Sequence, residues 1–127
     1  MSRWLSVLVY MAGIFYLSSL SRPTLPIKMS DKLAHVAEYA LLSALVLRAA
    51  NGGFSRRATL GAVLLAFLLS SAYGASDEWH QSFVPGRVCS LGDLAADAAG
   101  SLLAALALAV ATRRAATGDR KSSRPPL

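Results

Sequence analysis

The chain has one cysteine, Cys89, so it has no internal disulfide and no cysteine-rich metal cluster. Charge is missing from three long stretches, Trp4 to Leu20, Ala58 to Ser76 and Ala98 to Thr112. A fourth, Leu33 to Leu47, is interrupted only by His35 and Glu38. Little chain remains for a separate soluble domain. A basic face for nucleic acid is therefore not expected, even with a formal net charge of +6. An H-E-x-x-H zinc spacing and a nucleophile-elbow serine are also absent, as is an obvious internal repeat of the kind many transporters carry.

What the sequence does have is apolar length. Hydrophobic residues make up 54% of the 127 positions, too many for an ordinary soluble domain of this size. At about 1.5 Å per helical residue the first run reaches about 25 Å, so flanking residues must complete a span of the ~30 Å hydrocarbon core. The last run needs Leu91 to Ala96 added at its start, which draws Asp93 and Asp97 into the helix. Arg3, the first run and the small residues Ser19 and Ser21 have the outline of a secretory signal, but the run is long for a signal core and the cleavage pattern is weak. The expectation is an all-α integral membrane bundle of four spans with short loops over residues 1–116, followed by a basic, disordered cytoplasmic tail, 117–127.

Four spans put both termini and the Arg48 to Arg57 loop on one side. That side carries Arg3, Arg48, Arg56, Arg57, Arg113, Arg114, Arg120, Lys121 and Arg124, against Arg22, Lys28, Lys32 and Arg87 opposite. The positive-inside rule then places the N- and C-termini of a multi-pass cell-membrane protein in the cytoplasm. Acids show the reverse bias. Asp31, Glu38, Asp77, Glu78, Asp93 and Asp97 face outward and only Asp119 faces inward. Acids contribute little to orientation, so this second asymmetry points to a site.

Asp31, His35, Glu38 and Leu42 fall on one helical stripe. Ser30 or Asp31 can cap that helix, whereas Glu38, well inside an apolar run, requires a partner, water or neutrality. Asp97 carries the same requirement, and His35, Lys32, His80 and Arg87 are the available partners. Gly92, Ala96, Gly100 and Ala104 form a small-residue row that permits close helix packing. Pro85-Gly86 signals a turn that brings Arg87 back over the helix ends, to neutralise Asp77, Glu78 or Asp93 or to meet a phosphate or carboxylate. Trp79 and Phe83 fit interfacial anchors. The set leaves open divalent-metal binding, acid–base chemistry by His35 or His80 beside a carboxylate, Ser-His-Asp catalysis through Ser82 or Ser90, and a polar network that only orders the bundle.

Taken in order, Asp31-Lys32-x-x-His35-x-x-x-Tyr39, Asp77-Glu78-x-x-Gln81, Pro85-Gly86-Arg87, then Asp93, Asp97 and Gly100 resemble the motif series of VanZ-like membrane proteins, over about Leu5 to Ala111. Asp97 departs from the asparagine many members carry near that position, and Glu38 and His80 are less central to the pattern. The family takes its name from a protein associated with resistance to the glycopeptide teicoplanin, whose lipid tail places it near the outer leaflet. The resemblance implies action at the outer membrane face and leaves the reaction, any cofactor or metal and the oligomeric state open.

Two functions are thus in view. In the first, an outward polar pocket binds, and in an enzymatic version modifies, a lipid-linked or amphipathic envelope molecule. His35, Glu78 and Asp93 are then the candidate catalytic residues, and Lys32, Asp77, Gln81, Arg87, Asp31 and Asp97 the binding residues, with Lys32 and Arg87 engaging an anionic head group. In the second, a non-enzymatic envelope factor uses the same network to order its helices. A transporter or channel ranks below both, since four spans would need to oligomerise.

Overall fold

The computed structural model describes residues 2–21 and 31–122, with side chains given as far as 117. Arg22, Lys28, Ser30 and Arg124, and the side chains of Asp119, Arg120 and Lys121, lie outside the described residues.

Four helices follow one another: α1 (Arg3–Ser18), α2 (Asp31–Ala50), α3 (Leu60–Gln81) and α4 (Leu91–Ser122). Strands are absent among the described residues. The bundle is therefore all-α, as the apolar runs predict. The helices α2 and α3, together with the Leu91–Thr117 part of α4, are long and apolar enough to cross a membrane, while α1 is shorter at 16 residues. The fourth helix continues as helix through Ser122, several residues past position 117.

Local chemistry sets the boundaries. Asp31 lies in the first turn of α2 and Arg48 in the last, each complementing the helix dipole. Beyond Ala50 the chain turns through Gly52 and Gly53, at φ 75° and 127°, conformations that favour glycine. Asn51 ties this loop together. Its amide donates to the Arg56 carbonyl at 3.0 Å and its Oδ1 accepts from the Thr59 N–H at 3.3 Å. Thr59 in turn caps α3 by accepting from the Ala62 N–H at 3.2 Å. After α3, Pro85 and Gly86 (φ 82°) form a turn closed by the Arg87 N–H on the Val84 carbonyl at 3.1 Å. Ser90 then caps α4 through the Gly92 N–H at 3.2 Å.

Helix α2 is the hub, touching all three others, while α1 packs on α2 and α3 and makes no contact with α4 among the described residues. Tyr39, Leu42, Val46 and Leu47 of α2 fill the centre. The facing surfaces are small: Ala62, Ala66, Ser70 and Gly74 on α3, and Ala96, Gly100, Ser101 and Ala105 on α4. Such rows let helix backbones approach closely where lipid offers no hydrophobic drive for association. Ser43 Oγ donates to the Ser101 carbonyl at 2.8 Å, and Tyr73 donates to the Met11 carbonyl at 2.7 Å, tying α2 to α4 and α3 to α1. Leu8, Phe15, Leu64, Leu68, Leu103 and Leu106 point outward, a surface suited to lipid.

Candidate functional site

The buried face of α3 changes character at one end. Above Gly74 it continues as Asp77, Glu78 and Gln81, all buried. The start of α2 brings Asp31, His35 and Glu38 to the same end, and the start of α4 brings Asp93 and Asp97. All six outward acids inferred from sequence therefore share one pole of the bundle.

Each buried acid is half satisfied. His35 Nδ1 lies 2.8 Å from Asp97 Oδ1. Gln81 Nε2 donates to Asp77 Oδ2 at 2.8 Å, and the Ser90 backbone N–H donates to Glu78 Oε2 at 2.9 Å. The second oxygen of each, Asp77 Oδ1, Glu78 Oε1 and Asp97 Oδ2, is buried without a hydrogen-bond partner, as is the Tyr39 hydroxyl. Gly74 makes room for this arrangement: a Cβ there would stand 3.0 Å from Asp97 Oδ2 and 3.2 Å from Tyr39 Cε1. Donor atoms of His35, Glu78 and Asp97 lie within 4.8 Å of one another, the only such metal-competent group among the described residues.

A cavity of about 680 Å³ opens beside the network, lined by Asp31, His35, Glu38, Asp77, Gln81, Arg87 and Asp93 and, from α1, by Tyr10, Ile14, Leu17 and Ser18. The Glu38 carboxylate makes no hydrogen bond or ion pair among the described residues. A second, largely apolar groove of about 370 Å³ lies beside it, lined by Val9, Gly13 and Leu45 and sharing Tyr10, Ile14, Leu17 and Glu38 with the cavity.

The two cations of the site take different positions. Lys32 pairs with Asp93, is 58% exposed and does not line the cavity. Arg87 folds back as its turn predicts, but its guanidinium contacts are to the end of α1 and the turn after it: Nη2 donates to the Leu17 carbonyl at 3.2 Å and Nε to the Leu20 carbonyl at 3.1 Å. It thus satisfies carbonyls at the end of α1, where a cation also suits the helix dipole. An ion pair from Arg87 to Asp77, Glu78 or Asp93 is not found. His80 lies elsewhere, with Nε2 3.0 Å from Ser19 Oγ and its ring stacked on Phe15 at 4.5 Å. Trp79 and Phe83 are exposed and pack edge to face.

Chemically, the site offers carboxylates and one imidazole held by a carboxylate, groups suited to proton exchange or metal binding. Neither serine nominated from the sequence is placed as a nucleophile beside His35. Ser82 donates to the Trp79 carbonyl, Ser90 Oγ caps α4, and neither bonds His35. Tyr10, Ile14, Leu17 and Ser18, the lining residues from α1, are among those that the sequence does not reveal. Their only signal is a tyrosine and a serine inside an apolar run.

A bundle with long apolar helices, an outward apolar surface and a buried polar pole defines a helical membrane protein with a site at one end. Residues 4–112 match the family model described as VanZ/LLP1, and the chain belongs to that family. Neither a curated protein nor a solved structure matches it.

Proposed function

We propose that the protein binds a lipid-linked molecule of the cell envelope, with the head group in the polar cavity and the apolar chain in the adjoining groove. The observation that carries this reading is that the two spaces lie side by side, sharing Tyr10, Ile14, Leu17 and Glu38 in their linings. Small-molecule sites are largely apolar with a few placed polar groups, and an adjoining polar and apolar pair fits an amphipathic occupant. Four spans with cytoplasmic termini, as the charge bias indicates, put the cavity at the outer face.

The charge of the cavity refines the head group. Asp31, Glu38, Asp77 and Asp93 outnumber Arg87 and His35, so a bare anion would meet repulsion. Hydroxyl-rich head groups of the sugar type give the carboxylates and Gln81 hydrogen-bond donors instead. Arg87 retains N–H donors beyond the two used on Leu17 and Leu20 and can accept one acidic group of the ligand.

The competing reading, a non-enzymatic factor whose network orders the helices, draws on the bonds made by His35, Gln81 and Ser90. Glu38 separates the two, because its carboxylate bonds nothing among the described residues. Purified wild-type protein and Glu38→Gln would be titrated with a lipid-linked sugar phosphate, the lipid phosphate without sugar and the soluble sugar phosphate. Saturable binding of the first, weakened in Glu38→Gln at unchanged thermal stability, supports a site. No binding of any of the three by wild type removes it.

A further inference from the structure

Three buried acids and one imidazole occupy a volume from which both basic side chains of the site are absent. Glu78 is 3% exposed and Asp97 1% exposed, yet each keeps one oxygen without a partner. Lys32 is committed to Asp93 and Arg87 to the Leu17 and Leu20 carbonyls, so neither bonds the buried carboxylates. His35, even when protonated, offsets one of the negative charges on Asp77, Glu78 and Asp97. A buried carboxylate without a partner is costly, and in a membrane protein such groups are paired, protonated or bound to an ion.

We propose that His35, Glu78 and Asp97 form a binding site for one divalent transition-metal ion of the Zn²⁺ type. The donor atoms are mutually within 4.8 Å. Tetrahedral zinc with ligands at about 2.0–2.2 Å places its donors about 3.4 Å apart, so modest side-chain adjustment closes the set. One imidazole nitrogen with two carboxylates favours Zn²⁺ or Mn²⁺ over Ca²⁺ and Mg²⁺, which take oxygen donors and more of them. The Ser90 backbone N–H on Glu78 Oε2 supplies the second contact that orients a ligating carboxylate, leaving Oε1 for the ion. Gly74 leaves the space that this ligand occupies, since a Cβ there would press on Asp97. Three protein donors leave a tetrahedral ion one position for water or a ligand oxygen, and His35 is the donor that also lines the cavity.

The test uses the full chain purified in detergent, stripped with chelator and titrated with Zn²⁺, Mn²⁺ or Mg²⁺ alone, without lipid. The site predicts one tightly bound Zn²⁺ per chain by elemental analysis, a rise in thermal midpoint with Zn²⁺ and little response to Mg²⁺. Asp97→Asn and Glu78→Gln should each abolish both effects. Should either fail to accumulate, His35→Asn alters a half-buried side chain and carries the same expectation. Absence of Zn²⁺ binding by wild type, or its retention in any of the three variants, overturns the proposal. Lipid-ligand binding measured in chelator is a separate readout, so a failed metal site and a failed lipid site remain distinguishable.

Discussion

Gly100 of α4 lies against the Val36 carbonyl of α2 so closely that a Cβ on Gly100 would overlap the oxygen. The neighbour is helix backbone and cannot swing aside as a side chain would. Gly100→Ala should therefore push α2 and α4 apart at the level of His35 and Asp97, at a cost of about 1–3 kcal/mol, the usual range for overpacking. Gly61, whose Cβ would meet nothing within 4 Å, is the control: Gly61→Ala should leave stability unchanged or slightly raised. Denaturant or thermal unfolding in a mild detergent compares the two, and equal behaviour would contradict the packing assigned to Gly100.

The helices, the small-residue row on α4 and the Asp31, His35, Glu38 stripe were legible in the sequence because each is a local pattern of period near 3.6. Convergence of His35, Glu78 and Asp97 was not, since it depends on how α2, α3 and α4 rotate about their axes. The fate of Arg87 was hidden for a similar reason. Its Pro-Gly turn is local, but the carbonyls it caps, of Leu17 and Leu20, lie at and just past the end of α1, the first of them 70 residues earlier in the chain. His80 shows the reverse case, a residue beside the motif in sequence whose ring faces Phe15.

The Lys32 and Asp93 pair is expected to matter little for stability. Lys32 is 58% exposed, and ion pairs in such settings contribute about 0–1 kcal/mol. Lys32→Met should shift unfolding by no more than this, and a double-mutant cycle with Asp93→Asn should give a coupling within the same range. A coupling well above 1 kcal/mol would show that the pair is less solvated than its exposure indicates.

Cys89 gives a direct test of orientation. As the chain's only cysteine it is exposed in the loop before α4. A membrane-impermeant maleimide applied to intact cells should label it, whereas labelling only after permeabilisation would place this loop in the cytoplasm and reverse the proposed topology. The thiol is held above its ordinary value, by desolvation and by the Glu78 carboxylate. A raised value leaves less thiolate at neutral pH, and thiolate is the reacting form. Labelling should thus be slower than for free cysteine at pH 7 and climb by about tenfold per pH unit until the thiol titrates.

The apolar groove can be closed without disturbing the polar cavity. Gly13 lines the groove but not the cavity, and a Cβ there meets nothing within 4 Å. Gly13→Leu should therefore insert into the groove without forcing α1 away, and better helix propensity offsets any loss of packing freedom. Stability should be unchanged or higher by up to about 1 kcal/mol. If the groove holds the apolar chain of the ligand, affinity for a lipid-linked sugar phosphate should fall steeply while any weak binding of the soluble sugar phosphate persists, because the carboxylates and Arg87 are untouched. Because an excluded chain stays in lipid or detergent, the loss is one of packing contacts in the groove rather than of burial from water. Unaltered affinity for the lipid-linked compound would mean that its chain lies in the bilayer, and that the polar cavity alone selects the ligand.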